Sequence, residues 1–405
     1  MKNLTIILVV SFCYYFPQLI AQTPVRCLSV SPAAGLSEGL PTTTVQENVG
    51  NQQMMLTQRS VVSIPVVVHI VWNKQEENIP DEQIISQIEV LNSDYRATNF
   101  EIPGIPSIFK SKIADVEFEF CLASVTPDGQ PTTGITRTFT NNSIGIGGTK
   151  AIHFSNQGGQ DAWDPAHYLN IWVAKFAGGV GGTATFPGQA PAGEDGVEID
   201  YRQFGTLNTQ LPYHLGRTCT HEIGHYFNLE HVWGPNINSC CDEDDFVADT
   251  PNACETYLLQ CPTHPVFSCS EPDMFMNYMF YTDDACMGMF TQGQKARMWN
   301  ALNQFRPGLL DSPGCGMVPT EEPDGKAKLT LYGNPMRERL MFAIKSKDTT
   351  NWELRLFDIL GRCVIQQTVR SNQVETIDLP VLLPGVYFLE AMTVDKKLVA
   401  KVVAG

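Results

Sequence analysis

The chain has 405 residues, 43% apolar and 17% charged. That is a globular composition, with room for one large domain and a smaller one, and it speaks against disorder throughout. A formal charge of −16 points away from nucleic acid, which needs a basic face to neutralise phosphates, and from a polybasic membrane patch.

Residues 1–21 read as a signal peptide. Lys2 gives a positive start, Leu4 to Ile20 an apolar run, and Ala21 a small residue before a cleavage point. Tyr14, Tyr15 and Pro17 suit a membrane span poorly, and no apolar stretch of spanning length follows, so no stable membrane span is expected. Cys13 follows Phe12 where a lipoprotein signal has a small residue, which argues against a lipid anchor. Twelve cysteines fit an oxidising compartment. Loss of Cys13 with the leader leaves an odd number, so at least one thiol is unpaired within the chain. Residues 22–59 are polar, rich in Ser, Thr, Pro and Gln, and read as a flexible segment or pro-segment.

Regular structure is expected from Val61 to Trp72, a β-branched strand, and then from a helix opening at Asp81 as N-cap, with Ile84, Ile85, Ile88 and Leu91 at helical spacing. Val116 to Ala123 and Tyr168 to Ala174 read as further strands, and Gly178 to Gly193 as glycine-rich loops. Helices are expected over about Leu215 to Asn228 and Thr291 to Phe305. Residues 60–313 form one domain in this reading and 314–327 a linker. Beyond it seven short alternating segments imply an all-β sandwich over 328–405: Leu329 to Tyr332, Leu340 to Ile344, Trp352 to Phe357, Cys363 to Thr368, Val374 to Leu379, Val386 to Ala391 and Leu398 to Val403.

The strongest chemical signal is His221-Glu222-Ile223-Gly224-His225, followed by His231. Helix positions four apart share a face, so both imidazoles of the pentapeptide can reach one zinc ion. Glu222, beside the first ligand, is placed to take a proton from water at the metal rather than to bind the metal. A straight helix would carry His231 away, so the chain must turn first, and Asn228 tolerates the left-handed backbone such a turn needs. Three histidines with an open fourth position make a catalytic zinc pattern, not a closed structural one. His69, His153, His167, His214 and His264 lack ligand spacing and read as structural. Asp242, Glu243, Asp244, Asp245 and Asp249 offer hard oxygens for calcium, or form a solvated acidic loop. The cysteines Cys240, Cys241, Cys254, Cys261, Cys269 and Cys286 suggest disulfides around a loop-rich segment.

The run from Arg217 through His221, His225, Asn228 and His231 to Gly234 resembles the zinc signature of the metzincins, and within them the pappalysin (cytophagalysin) family, with Asn228 at the usual glycine. The resemblance covers roughly 60–310. It implies an α/β metzincin-like catalytic domain, a twisted mixed sheet plus an active-site helix. It also implies a Met-turn at Asp273 to Tyr281, with Met279 as the apolar floor under the metal and Tyr281 as an oxyanion stabiliser, although Phe280 stands where the family has Asp. By the same analogy two disulfides fall among Cys240/Cys241, Cys261, Cys269 and Cys286, with Cys261 joined to Cys286 and the other left ambiguous. Calcium falls on Asp242, Asp244, Asp245 and Asp249. Cys27, after Arg26, is a zymogen switch whose thiolate takes the fourth metal position, although Leu28 replaces the family's glycine. Asp283 and Asp284, near the Met-turn, could favour a basic residue beside the scissile bond. The last eighty or so residues resemble the sorting domain of the type IX secretion system, on Tyr332-Gly333-Asn334-Pro335, Leu356 to Arg362, Leu383 to Leu389 and the basic-apolar end.

The sequence therefore predicts a secreted zinc metalloendopeptidase acting on proteins or peptides and exported by the type IX machinery to the cell surface or beyond. The competing reading is an extracellular adhesin or binding protein with a vestigial peptidase domain.

Overall fold

A computed structural model describes residues 25–27, 29, 61–237, 241–315 and most of 327–404. The expected leader, Arg59, Ser60, Cys240 and nearly all of the expected linker lie outside the described residues. The spine of the first unit is β2 (Val62–Trp72). Its Ile64, Val66, Val67, Val68, Ile70 and Val71 are all buried, as a parallel strand covered on both faces requires. It pairs in parallel with β3 (Phe118–Leu122) through its first half and with β4 (Ile135–Phe139) through its second. On the other side it pairs with β5 (Leu169–Ala174) from Val66 onward, so Pro65 falls before that ladder begins and its missing amide is tolerated.

The helix α1 (Asp81–Tyr95) joins β2 to β3 and buries Ile84, Ile88, Leu91 and Tyr95. Its N-cap is Pro80, not Asp81. Asp81 is the first helical residue, where its charge suits the positive helix end and pairs with Arg137. A single-turn α2 (Ser107–Lys110) follows. The strand after it starts at Phe118 rather than Val116 because Glu117 has φ +66°, which extended pairing cannot use.

The expected glycine-rich loop contains a strand, β6 (Val180–Ala184), antiparallel to β7 (Val197–Asp200), which lies beside β5. Glycine here meets a close approach instead of marking a turn. A Cβ on Gly181 would stand 2.7 Å from the Arg26 carbonyl oxygen, and one on Gly182 would stand 2.8 Å from Glu222 Cγ. Beyond β6, at the very edge of the sheet, runs β1 (Val25–Cys27), parallel to it with Cys27 opposite Gly182. The segment expected to be flexible thus contributes a docked strand. Helix α3 (Arg217–Tyr226) packs against β6, β7 and α1. Helix α4 (Gln292–Phe305) is opened by Thr291 and Gln294 in a reciprocal capping box.

Three disulfides are Cys121–Cys315, Cys241–Cys269 and Cys261–Cys286, and Cys254 is disulfide-bonded as well. The first ties β3 to the end of this unit, so Cys315 is covalently joined to the first unit although the expected linker included it. Among the described residues Cys27, Cys219 and Cys363 are free.

The C-terminal unit has the seven expected strands, β8 (Lys328–Tyr332), β9 (Arg339–Lys345), β10 (Asn351–Asp358), β11 (Cys363–Arg370), β12 (Val374–Asp378), β13 (Gly385–Met392) and β14 (Lys397–Ala404). They form two antiparallel sheets, β11-β10-β13-β14 and β12-β9-β8, around a core that includes Leu340, Phe342, Trp352, Leu354, Leu356 and Leu389. Among the described residues no helix is long and apolar enough to cross a membrane.

Candidate metal centre and substrate cleft

Every residue of α3 is buried. Arg217 anchors its first turn through ion pairs to Asp94 of α1 and to Glu101. Ile223 faces the main core. Gly224 is required by what lies under the helix, since a Cβ there would meet Met279 Sδ at 2.5 Å. That contact places Met279 beneath the turn carrying His221 and His225. Past the helix Asn228 has φ +71°, and the chain reverses there to bring His231 back.

The three imidazoles are fixed from behind. His221 Nδ1 donates to the Tyr278 carbonyl at 2.7 Å and His225 Nδ1 to the Leu229 carbonyl at 2.7 Å. His231 is stacked on Trp233, ring centres 4.6 Å apart. With a proton on Nδ1, each Nε2 of the first two rings presents a lone pair. The three Nε2 atoms nevertheless lie 3.1, 3.1 and 3.3 Å from one another. Lone pairs crowd together in this way around a cation. Tetrahedral metal–nitrogen bonds of about 2.05 Å would set ligand nitrogens roughly 3.3 Å apart. Burial holds His221 and His231 well below the usual histidine pKa and brings His225 to about 4, so all three are neutral and competent to bind a metal. Cys27 Sγ is the fourth member of the cluster, all four ligand atoms lying within 4.8 Å of one another. The donor set fits zinc, which accepts imidazole and thiolate in a tetrahedron.

Glu222 stands beside this cluster without being a member of it, its carboxylate meeting the Cys27 thiol. Burial, opposed by hydrogen bonds from Cys27 and Ser29 and by the Arg26 charge, raises its pKa to about 8. Its Oε2 accepts from Ser29 Oγ at 2.9 Å and from Cys27 Sγ at 3.4 Å, while Oε1 is buried without a partner. Tyr281 borders the histidines, 5.6 Å from the His221 ring and 5.0 Å from that of His231, and its hydroxyl donates to the Cys27 carbonyl at 3.3 Å.

The strand β1 fills the cleft in front of these groups. Its Arg26 is fully buried, with Nη2 donating to Asp284 Oδ1 at 2.6 Å and to the Thr282 carbonyl at 2.8 Å. The guanidinium lies 4.4 Å from the centre of the Tyr213 ring. The sequence reading named Arg26 only as the neighbour of Cys27, missed Ser29 altogether, and saw the Gly181-Gly182 pair as a loop. Only those two adjacent glycines could have signalled close packing. Asp283, named beside Asp284, is not the residue that grips Arg26.

The acidic residues of the expected calcium loop are used singly. Asp245 is buried and accepts from Thr250 Oγ1 at 2.8 Å and the Val247 amide at 3.1 Å, and Asp249 accepts from Thr291 Oγ1 at 2.6 Å and the Gly293 amide at 3.0 Å. Asp244 accepts from the Phe246 amide, and Asp242 is exposed. Three other histidines have partners away from the cluster. His69 is buried between Thr136 and Asn170, His153 pairs with Glu198, and His167 with Asp164.

Residues 154–303 match the profile of peptidase family M43, described as pregnancy-associated plasma protein-A, and residues 330–404 match the secretion system C-terminal sorting domain. An extracellular metalloprotease of Verticillium alfalfae is 38% identical over 37% of this chain, which spans only 53% of that protein. One from Arthroderma benhamiae is 29% identical over 61% of the chain and 80% of its own length. Mature mirolysin of Tannerella forsythia, solved with a cleaved peptide, is 42% identical, covering 62% of this chain and 96% of that one, with a TM-score of 0.59. A point mutant of promirolysin from the same organism is 42% identical over 62% of this chain and 85% of its own, with a TM-score of 0.58. The adhesin alternative has no counterpart among these relatives.

Proposed function

Because the chain belongs to peptidase family M43, the pappalysins, we propose that it is a secreted zinc endopeptidase made as a precursor, in which Val25–Cys27 and Ser29 fill the substrate cleft. It is a metalloendopeptidase of the extracellular space or cell surface, with a sorting domain of the type IX system at its C-terminus. The observation that carries the assignment is the convergence of three neutral Nε2 atoms beside a buried carboxylate that is not itself a ligand. His221, His225 and His231 would hold the zinc, with Met279 as the floor beneath them.

When bound, the ion supplies Lewis acidity, acidifying a water molecule and polarising the scissile carbonyl. The remaining work falls to the chain. Glu222 Oε2, which in the precursor meets Cys27 Sγ at 3.4 Å, takes a proton from the attacking water once the segment has left and returns it to the leaving amine nitrogen. Tyr281, whose hydroxyl now donates to a pro-segment carbonyl, donates to the oxyanion once that segment has left. The edge strand β6 pairs with substrate backbone, as it does with β1. The pocket holding Arg26 becomes a subsite for an arginine of the substrate, with Asp284 below and the Tyr213 ring beside it.

In the precursor the Cys27 thiol occupies the position that water needs. Removing the segment requires a cut in the polar stretch up to Arg59, so the mature enzyme begins near Ser60. A second cut beyond Cys315 sheds the sorting domain after export. Calcium, if bound, would use the carboxylates of the Asp242–Asp249 loop.

The test is casein hydrolysis by purified secreted protein with and without a chelator, followed by terminal sequencing and peptide-library cleavage. Hydrolysis that persists after full metal removal would refute the assignment. A mature form that still carries Gln22 and Gly405 would refute the processing scheme.

A further inference from the structure

The pro-segment touches the general base as well as the metal site. Ser29 Oγ lies 2.9 Å from Glu222 Oε2 and accepts the Ala184 amide at 2.8 Å. With that lone pair engaged, the single hydroxyl proton has two acceptors in range, Glu222 Oε2 at 2.9 Å and the Ala184 carbonyl at 3.5 Å. The shorter contact, to an ionisable group, wins. The Ser29 amide also donates to Cys27 Sγ at 3.1 Å. The register of β1 on β6 sets Cys27 opposite Gly182, so two residues later the chain is level with Ala184, the last residue of that edge strand.

We propose that Ser29 is a second latch of the precursor, which blocks the base and the edge strand independently of any thiol–metal bond. This rests on the precursor reading above and deepens it. The Ala184 amide and the Glu222 carboxylate form a subsite for a hydroxyl, one donor and one acceptor placed to bind one O–H. While Ser29 fills it, Glu222 Oε2 already holds a proton donor and the Ala184 amide is closed to a substrate carbonyl. The Cys27 thiol and the Ser29 hydroxyl both meet Glu222 of α3.

A chain so held keeps part of its latency when the sulfur is lost. Leaving a buried acceptor without its donor costs about tenfold in affinity. The hydroxyl should therefore be measurable apart from the sulfur.

The probe is a labelled peptide of residues 23–30, bound to mature enzyme and read by fluorescence anisotropy. The peptide carrying Ser29→Ala should bind about tenfold or more weakly than the parent. The same ratio should appear when both peptides also carry Cys27→Ala. On a Glu222→Ala enzyme, processed in trans by wild-type enzyme, the ratio should collapse, because the acceptor is gone. In the full-length precursor Ser29→Ala should shorten the lag before activity, and Ser29→Thr, which keeps the hydroxyl, should restore it. Equal binding of the parent and Ser29→Ala peptides overturns the proposal, as does a ratio that survives Glu222→Ala. Equal binding of the parent and Cys27→Ala peptides would instead overturn the thiol latch and leave Ser29 standing. A parent peptide that does not bind at all overturns both.

Discussion

Replacing Arg26 by methionine should release the precursor from latency faster than any other single change in the pro-segment outside Cys27. Methionine keeps the length and apolar stem but removes the guanidinium from a pocket where it and Asp284 are both fully buried. Breaking a buried ion pair costs about 3–5 kcal/mol, chiefly because the remaining charge is stranded. Here the lower end applies, since Asp284 keeps the Leu215 amide at 2.7 Å and the Arg217 amide at 3.3 Å. The cation–π contact with Tyr213 is lost as well. A loss of about 3 kcal/mol raises the open fraction of the cleft on the order of 100-fold. If cleavage of the pro-segment waits on that opening, the lag of purified Arg26→Met precursor should shrink by a similar factor, followed as casein hydrolysis against time. A cleavage-site change cannot mimic this, because the cut falls after Arg59 and Arg26 is not beside it. Arg26→Lys, which keeps the charge but loses the fork of donors, should fall between the two. An Arg26→Met precursor that activates at the wild-type rate would refute the view that this pocket anchors the segment.

Three further outcomes follow from the same geometry. Glu222→Ala should abolish proteolysis while the protein still binds one zinc by elemental analysis, whereas His231→Ala should lose zinc to a chelator far more readily; zinc loss in the first variant would make Glu222 structural. Gly182→Ala should cut activity by an order of magnitude or more, because its methyl would meet Glu222 Cγ at 2.8 Å and the Glu198 carbonyl at 3.0 Å, and unchanged kcat/KM would contradict that packing. Asn228→Gly should leave activity and thermal stability nearly unchanged, whereas Asn228→Val, forced to φ +71°, should cost about 1–3 kcal/mol, visible as a lower Tm and weaker zinc retention.

What the sequence determined by itself was local. Two histidines four apart, a carboxylate between them and an asparagine three residues on encode a helix face and a left-handed turn, and α3 and Asn228 take those shapes. The seven strands of the tail were equally legible, since each is a short alternating run read within its own few residues. The tertiary structure alone decided which distant pieces meet at the cleft. Arg26 meets Asp284 across 258 positions, Cys27 and Ser29 meet Glu222 across 195 and 193, and Cys121 is bonded to Cys315 across 194. None of these pairs leaves a periodic trace, because each depends on the path of the chain between its partners. The strand β6 was hidden for a related reason. Its glycines make room for groups that come from elsewhere, the Arg26 backbone at Gly181 and the Glu222 side chain at Gly182, and in isolation a glycine pair looks the same whether it makes room or makes a turn.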